Sequence, residues 1–196
     1  MKSLDDYLLD AEQAHGHLCA GQVLGVRMAM LGLNKLGIDD PRGKDRKRLV
    51  TFVEIDRCAT DAISVVTGCR LGKRALKFRD WGKVAATFVD VSSEKAIRIA
   101  AKESSKILAK QMHPEVENKN QQQMLAYREM KEGDLFTSQW VKVKISPEDF
   151  PGYKSERTVC EACGEGINFR REVRANNKVL CRSCADGDDG YYTPLL

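Results

Sequence analysis

The 196-residue chain contains no long uninterrupted apolar run. Its longest strongly apolar stretch, from Val23 to Leu33, contains Arg27 and is too short to span a bilayer. The first residues, MKSLDDYLLDAEQ, are acidic and amphipathic, and they lack the apolar segment and small-residue cleavage site of a signal peptide. These absences argue against membrane-spanning and exported classes, so we expect a cytoplasmic protein without membrane contacts.

The chain also lacks a strong charge of either sign, because its formal net charge is only +4. Residues 151–196 contain seven basic and seven acidic side chains and are therefore neutral. A nucleic-acid-binding module usually presents a denser basic face, and the short basic run from Arg42 to Arg48 is typical of a solvated loop. The composition thus disfavours nucleic acid as a partner.

Histidine is scarce, with three residues, and cysteine occurs in an odd number, seven. In the reducing compartment that we expect, cysteines serve more often as metal ligands, reactive thiols or small buried residues than in disulfides. The first 150 residues can bury a sizeable core. A tail of about forty residues needs a metal or disulfides to fold.

Four cysteines of the tail have the spacing of a zinc site. Two Cys-x-x-Cys pairs are separated by seventeen residues, and each pair can direct both sulfurs to one tetrahedral ion. The segment Ile167 to Leu180 predicts a β-hairpin with Asn176-Asn177 as its turn, and Cys184 is expected to begin a short helix or turn. Such a closed site is structural; two redox pairs or a disulfide framework are the alternatives. The predicted zinc ligands are Cys160, Cys163, Cys181 and Cys184.

Periodic apolar residues, interrupted by glycines and prolines, predict an alternation of helices and strands. The predicted helices are 4–14, Ala20–Leu36, Asp56–Thr67, Glu94 to about Gln111, and Glu115–Lys131 ending at Gly133. The predicted strands are Leu49–Ile55, Ala75–Phe78, Val84–Val91 and Leu135–Ile145. Two of these strands flank one turn, so we expect a mixed rather than a purely parallel sheet. Residues 146–158 are interpreted as a linker between two domains, 1–150 and 151–196.

Two of the three histidines and one cysteine lie within five residues, between the first two predicted helices. His15, His17 and Cys19 alternate along the chain, so an extended segment would point them the same way. Imidazole and thiolate together suit zinc, nickel, copper or iron, and fewer than four protein ligands leave a position for water or substrate. The alternative is a helix-capping histidine beside a buried cysteine.

A second group of chemically active residues follows the first predicted strand. Glu54, Cys58 and Asp61 lie at the junction between that strand and the next helix. A thiolate at Cys58 would be favoured by the helix dipole, and strand ends are where sites collect in α/β proteins. These positions strengthen the hypothesis of a metal site in the core.

A third group of residues occupies turns. Cys69 and Lys73 follow Gly68, and the turn Asp80-Trp81-Gly82-Lys83 comes next. Glycines and lysines in turns can bind an anion, whereas the alternative is simple turn chemistry with a core cysteine. We keep both interpretations for Cys69, Lys73 and Lys83.

The motifs HGHLCAG, ExxxCxxDAI, TGCxxGK and DWGK, in this order, resemble the FmdE-like family, named for the E subunit of formylmethanofuran dehydrogenase. The resemblance covers roughly residues 10–110, and the zinc spacing extends it to the tail. It implies an α+β fold with a mixed sheet of about five strands flanked by helices, somewhat thioredoxin-like, followed by a small treble-clef zinc finger. It also implies a homodimer and a link to the molybdenum or tungsten enzyme of methanogenesis.

The same resemblance implies His17, Cys19 and Cys58 as metal ligands in a cleft, with His15 a weaker candidate. Many relatives have a proline where Ala20 precedes Gly21, and some lack a cysteine at the Cys19 position. These departures leave the exact ligand set open, and with it the choice among Zn²⁺, Ni²⁺ and Fe²⁺.

Three hypotheses of function follow. The first is a redox-associated metalloprotein with an open metal position, in which Glu54 or Asp61 orients a ligand or moves a proton and Lys73 and Lys83 attract an anionic group such as a carboxylate. The second is a non-catalytic assembly or metal-delivery protein that docks an oxidoreductase complex through its finger. The third is a nucleic-acid-binding regulator, which the neutral tail disfavours. Whether the chain catalyses any reaction stays open.

Overall fold

The structure, a computed structural model, describes residues 1–186, 192 and 195. The chain forms two compact units, Met1–Lys144 and Ile145–Leu196. Within the described residues, no helix is both long enough and apolar enough to cross a membrane.

A five-stranded mixed sheet forms the centre of the first unit. Its strands are β1 (Leu49–Val53), β2 (Leu76–Phe78), β3 (Ala85–Asp90), β4 (Lys95–Ala101) and β5 (Phe136–Val141). They lie in the order β2-β1-β3-β4-β5. The pair β1–β2 is parallel and the three other pairs are antiparallel. The predicted α+β fold with a mixed sheet of about five strands is confirmed.

Six helices accompany the sheet in the first unit's described residues. They are α1 (Leu4–His15), α2 (Ala20–Leu36), α3 (Cys58–Thr67), α4 (Ser104–Met112), α5 (Lys119–Glu129) and the single turn α6 (Glu132–Leu135). Ser3 and Asp6 form a capping box at the start of α1. Gly37 and Gly68 end α2 and α3 at φ +64° and +70°, a backbone conformation that glycine adopts without strain. The predicted bounds of α2 match those of the structure.

Helix α2 is the central helix of this unit. It packs against β3 and β4, and α1, α3 and α5 pack against it. A Cβ atom added to Gly32 would lie 2.3 Å from the ring of Phe88 on β3, so the helix approaches the sheet very closely. The facing strand residues Phe88, Ile97 and Ile99 are fully or almost fully buried. The hydrophobic core therefore lies between α2 and this face of the sheet.

The predicted helix from Glu94 to Gln111 is wrong in its first half. Residues Lys95–Ala101 form β4, between β3 and β5, and only Ser104–Met112 is helical. Ile97 and Ile99 face the core while Arg98 points to the opposite face, which is the two-residue period of a strand. Pairing on both edges overrides the helix propensity of this alanine-rich segment.

Other predicted boundaries differ as well. Strand β1 ends at Val53 instead of Ile55, and α3 begins at Cys58 instead of Asp56.

The later elements of the first unit also differ from their predicted bounds. Helix α5 begins at Lys119, capped by Asn118, instead of at Glu115, and Gly133 lies inside α6 instead of ending a helix. Strand β5 ends at Val141. The Asp80–Lys83 turn connects two strands that are not neighbours, because β1 lies between β2 and β3.

The second unit consists of short elements. A 3₁₀ turn at Pro147–Asp149 precedes β6 (Thr158–Val159), β7 (Gly166–Ile167), β8 (Val173–Ala175), β9 (Lys178–Leu180) and α7 (Arg182–Ala185). Strands β8 and β9 form an antiparallel hairpin. Its turn residues Asn176 and Asn177 have φ values of 51° and 63°, as a two-residue hairpin turn requires. The predicted turn is confirmed, but the hairpin begins at Val173 instead of Ile167, which lies in β7 and pairs with β6.

Candidate metal centres

The four tail cysteines form a compact cluster. All four Sγ atoms lie within 4.8 Å of one another; they belong to Cys160, Cys163, Cys181 and Cys184. A tetrahedral zinc ion with Zn–S bonds of about 2.3 Å requires sulfurs about 3.8 Å apart. The Sγ atoms of Cys163 and Cys181 are 3.9 Å apart. The spacing of the four sulfurs is therefore compatible with one tetrahedral zinc ion.

Two local turns bring these sulfurs together. Gly164 has a φ of +76°, and its N–H donates to the carbonyl of Cys160 at 2.9 Å, which closes the first pair into a tight turn. Cys181 is the N-cap of α7, and its Sγ accepts the N–H of Cys184 at 3.4 Å. The expectation that Cys184 begins this helix is corrected, because Cys181 precedes the helix and Cys184 lies within it. The helix turn places both sulfurs on one side.

Hydrogen bonds shift the pKa values of Cys160 and Cys184 in opposite directions. The N–H groups of Cys163 and Cys181 lower the pKa of Cys160 to about 6. Hydrogen bonds to the thiols of Cys181 and Cys163 raise the pKa of Cys184 to about 12. Four thiolates therefore do not coexist at neutral pH without a cation, and a bound dication would displace the remaining protons.

In the core, two cysteines meet at the starts of two packed helices. Cys19 is the N-cap of α2 and Cys58 is the first residue of α3. A Cβ atom added to Gly21 would lie 3.3 Å from Cβ of Cys58 and 3.7 Å from Sγ of Cys19, so glycine leaves the space that both side chains use. Burial, and then a hydrogen bond to the Cys19 thiol, raises the pKa of Cys58.

The two histidines lie at the end of α1, next to an acidic residue of α3. The Nδ1 atom of His15 is 2.9 Å from a carboxylate oxygen of Asp61. The rings of His15 and His17 have centroids 4.8 Å apart. His15 is half-buried and His17 is exposed. A carboxylate on one ring nitrogen fixes the orientation and the tautomer of an imidazole that offers its other nitrogen to a metal.

The core residues do not form a closed ligand set. In the part of the chain that the structure describes, the tail cysteines are the one group of three or more donors whose ligand atoms all lie within 4.8 Å of one another. The structure brings Cys19 to Cys58 and His15 to Asp61. The metal ligation by His17, Cys19 and Cys58 stays a prediction.

Glu54 has a structural partner. Its carboxylate is almost completely buried and accepts two hydrogen bonds from Arg98 of β4, at 2.7 Å and 2.6 Å. Such a two-point pair is stronger than a neutral hydrogen bond and fixes both groups. The backbone carbonyl of Glu54 accepts hydrogen bonds from the N–H groups of Trp81 and Lys83, at 3.3 Å and 3.0 Å. Glu54 thus holds the end of β1 to two other segments.

The third group of predicted residues separates in space. Cys69 is buried, and its Sγ lies 3.5 Å from the hydroxyl of Thr51 and 3.7 Å from the carbonyl of Leu49. Burial raises the pKa of this thiol. Lys73 ends a 3₁₀ turn that lies before the start of β2. Lys83 lies in the turn after the end of β2 and bonds to Glu54, which follows β1, so it is at the opposite end of these strands. The geometry favours a core cysteine at position 69.

The structure also contains a residue next to the core thiols that the sequence did not indicate. Oδ1 of Asn120, in the first turn of α5, accepts the N–H of Ala20 at 3.1 Å. Cys19 itself makes no side-chain capping bond. Asn120 therefore caps α2 from another helix, beside Cys19. No local pattern could reveal this contact, because the two residues are a hundred positions apart.

Family models match both units of the chain. Residues 14–137 match the model described as FmdE, molybdenum formylmethanofuran dehydrogenase operon. Residues 152–189 match the prokaryotic dksA/traR C4-type zinc finger. The second match covers the four clustered cysteines, and it supports zinc as the ion that they bind.

One curated relative and one solved structure are similar over most of this chain. A probable S-adenosyl-L-methionine-binding protein of Archaeoglobus fulgidus is 32% identical over 91% of this chain and 52% of its own length. The chain thus spans about half the length of this relative. The crystal structure of an FmdE-like protein from Syntrophus aciditrophicus, described as like the E subunit of a tungsten formylmethanofuran dehydrogenase, has a TM-score of 0.65 at 21% identity, covering 96% and 95% of the two chains. With the fold, the cysteine cluster and the family model in agreement, the chain belongs to the FmdE family and carries a C-terminal zinc-finger unit.

Proposed function

We propose that this chain is a metal-carrying FmdE-type protein with two metal sites of different kinds. The tail site holds a structural zinc ion through Cys160, Cys163, Cys181 and Cys184. The core site holds a transition metal through His17, Cys19 and Cys58. The observation that carries the core site is the meeting of two cysteine side chains at the N-termini of α2 and α3.

The arrangement supports metal binding by charge as well as by donor type. Both cysteines lie at helix N-termini, which favour negative charge, whereas burial raises the pKa of Cys58. A bound cation would therefore be needed to hold Cys58 as a thiolate. Thiolate and imidazole donors suit Zn²⁺, Ni²⁺ and Fe²⁺. Asp61 orients His15 beside His17, so that His15 is available as a fourth ligand or as a proton carrier near the site.

A metal bound by fewer than four protein groups offers an open position for a substrate or water. The bound metal would supply Lewis-acid or redox chemistry at this open position. The closed four-cysteine site offers no such position and is assigned to folding. The proposal therefore places any chemistry in the core, not in the finger.

Metal analysis of matched cysteine variants tests this assignment. We expect two metal ions per chain in the anaerobically purified wild type, one in Cys58→Ser, and two in Cys69→Ala, whose buried thiol belongs to neither site. The remaining metal in Cys58→Ser should be zinc. One zinc ion per chain in the wild type as well as in Cys58→Ser would contradict the core site.

A second function, assembly or metal delivery through the finger, is favoured by the separation of the chain into two units. The finger has its own family model, and its closed metal site has no open coordination position. We infer that the finger docks a partner such as an oxidoreductase complex, and that the chain forms a homodimer.

Affinity capture from a native host tests the docking function. The double variant Cys163→Ser/Cys181→Ser should lose the partner and keep the core metal, while Cys58→Ser should keep the partner. Capture of the same partner by both variants would argue against the finger as the docking unit.

The name of the Archaeoglobus fulgidus relative adds one ligand to this proposal. S-adenosyl-L-methionine is a candidate for the core unit, since the alignment covers 91% of this chain. Equilibrium dialysis with the metal-loaded protein would give saturable binding if this half of the relative carries the site. An absence of binding would remove S-adenosyl-L-methionine as a ligand of this chain.

A further inference from the structure

A second surface lies at the carboxyl ends of the two parallel strands. Val53 of β1 is in register with Phe78 of β2, so the carboxyl ends of both strands lie side by side. After β1 the chain continues into the segment that leads to Cys58, and after β2 it continues into the turn Arg79–Lys83. Ligands of open sheets bind at the carboxyl ends of parallel strands.

The backbone of this turn is fixed. The N–H groups of Trp81 and Lys83 both donate to the carbonyl of Glu54, and the N–H of Arg79 donates to the carbonyl of Val53 at 2.9 Å. Gly82 has a φ of +64°, which lets the chain reverse between the two donors. A surface held in this way loses little conformational freedom when it binds a ligand.

The side chains of the turn expose an aromatic ring beside cations. Trp81 is 60% exposed, which is unusual for a tryptophan. The Lys83 ammonium lies 5.7 Å from the centre of the Trp81 ring, and the Arg79 guanidinium lies 5.7 Å from the ring of Phe52. Among the described residues, neither cation forms an ion pair with a carboxylate. Arg57, exposed at the start of α3, adds a third cation after β1.

We propose that this turn binds a small anion that carries a planar ring. The ring stacks on Trp81, and the negative group, a phosphate or a carboxylate, pairs with Lys83, which lies over the same ring. Arg79, whose guanidinium lies over Phe52 and donates to the carbonyl of Phe78, adds positive charge to the same turn. The inference goes beyond the metal sites and does not depend on them. The turn itself contains two cations, Arg79 and Lys83, which are too few for the long basic track that a nucleic acid strand requires.

Fluorescence can report on this surface directly. The chain contains two tryptophans, Trp81 and Trp140, and Trp140 is exposed on β5 at the other edge of the sheet. The variant Trp140→Phe therefore leaves Trp81 as the sole tryptophan reporter. We expect saturable quenching by adenosine 5′-monophosphate or by benzoate, with adenosine and inorganic phosphate binding about tenfold more weakly because each lacks one of the two groups. The anion with the lower Kd shows whether the surface prefers a phosphate or a carboxylate.

Matched charge variants, made in the same background, complete the test. Lys83→Gln should raise the Kd about fivefold or more, whereas Lys110→Gln, an exposed lysine on α4, should leave it unchanged. Cys58→Ser should bind as the reference does, so that loss of the core metal and loss of this surface are distinguished. Non-saturable quenching by both anions, or equal Kd values in the two lysine variants, would overturn the proposal. Binding of a single-stranded oligonucleotide without binding of either small anion would overturn it in favour of a nucleic-acid surface.

Discussion

Asn120 lies beside the proposed core site and contributes no ligand to it, but it caps the helix that begins next to Cys19. Its Oδ1 atom accepts the N–H of Ala20, the first residue of α2. Helix N-termini leave backbone donors without partners, and most helices satisfy them from the preceding residue. Here that preceding residue is Cys19, whose side chain makes no capping bond. The cap supplied by α5 leaves the Cys19 sulfur available for a metal.

The change Asn120→Ala should lower the free energy of unfolding by about 1 kcal/mol, the usual cost of a lost cap. It should also reduce the affinity of the core for its metal, because the start of α2 becomes less ordered. Urea unfolding and metal titration measure the two effects. The neighbouring Gln121→Ala is the matched control, since no side-chain bond of Gln121 is lost. Equal stability of both variants would remove Asn120 from this role.

The sequence predicted the residues of the candidate sites better than their partners. The tail ligands could be predicted because two short spacings determine them. The position of Cys19 before α2 could be predicted because the apolar period marks the start of that helix, whereas α3 begins at Cys58 and not at the predicted Asp56. Metal binding by these two cysteines stays a prediction. Asn120 and Arg98 could not, because their contacts join distant segments and neither belongs to a local motif.

At the scale of elements, the contact between α2 and α3 depends on a missing side chain. A Cβ atom at Gly25 would lie 2.4 Å from the carbonyl oxygen of Ala59 and 2.8 Å from the Cβ of Ala62. Real Cβ atoms do not approach backbone atoms so closely. Glycine therefore lets the two helices that carry Cys19 and Cys58 pack together.

The change Gly25→Ala should destabilise the protein by about 2 kcal/mol or more through overpacking, despite the gain of about 1 kcal/mol in helix propensity. Gly72→Ala serves as the control, since an added Cβ there meets no atom within 4 Å. Thermal and urea unfolding measure both. A Gly25→Ala protein as stable as the Gly72→Ala protein would show that the helices can separate at little cost.

Elements whose ends are marked by local chemistry were predicted well. Helix α2 has an apolar period and a terminal glycine, and its predicted bounds match the structure. The segment of β4 was predicted as the first half of a helix that begins at Glu94. In the structure Ser92 and Ser93 bond to the carboxylate of Asp90 and form the turn between β3 and β4. The strand conformation of this segment depends on its pairing with β3 and β5, which cannot be read from the local sequence pattern.

At the scale of the molecule, the two units differ in what stabilises them. The first unit has a contiguous apolar core around α2. In the described part of the second unit, Cys160 and Ile167 are the buried hydrophobic residues. A segment with so little apolar burial depends on a metal for its fold.

A chelator should therefore unfold the finger while the first unit keeps its structure. We expect hydrogen exchange to accelerate in residues 158–184 and to stay slow in β3 and β4. Acidification should act in the same direction, because protons compete with the metal for thiols such as Cys184, whose pKa is about 12 without metal. Unchanged exchange in the finger after complete loss of zinc would contradict a structural role for the metal.

The position of β5 in the sheet has a consequence for the order of folding. Strands β1 to β4 all lie within Leu49–Ala101, so their pairing closes short loops. Strand β5 pairs with β4 only after α4, α5 and α6 have intervened. Closing that longer loop costs more chain entropy, and contacts distant in sequence form late. The β5 edge is thus expected to join the sheet last during folding and to detach first under denaturing stress.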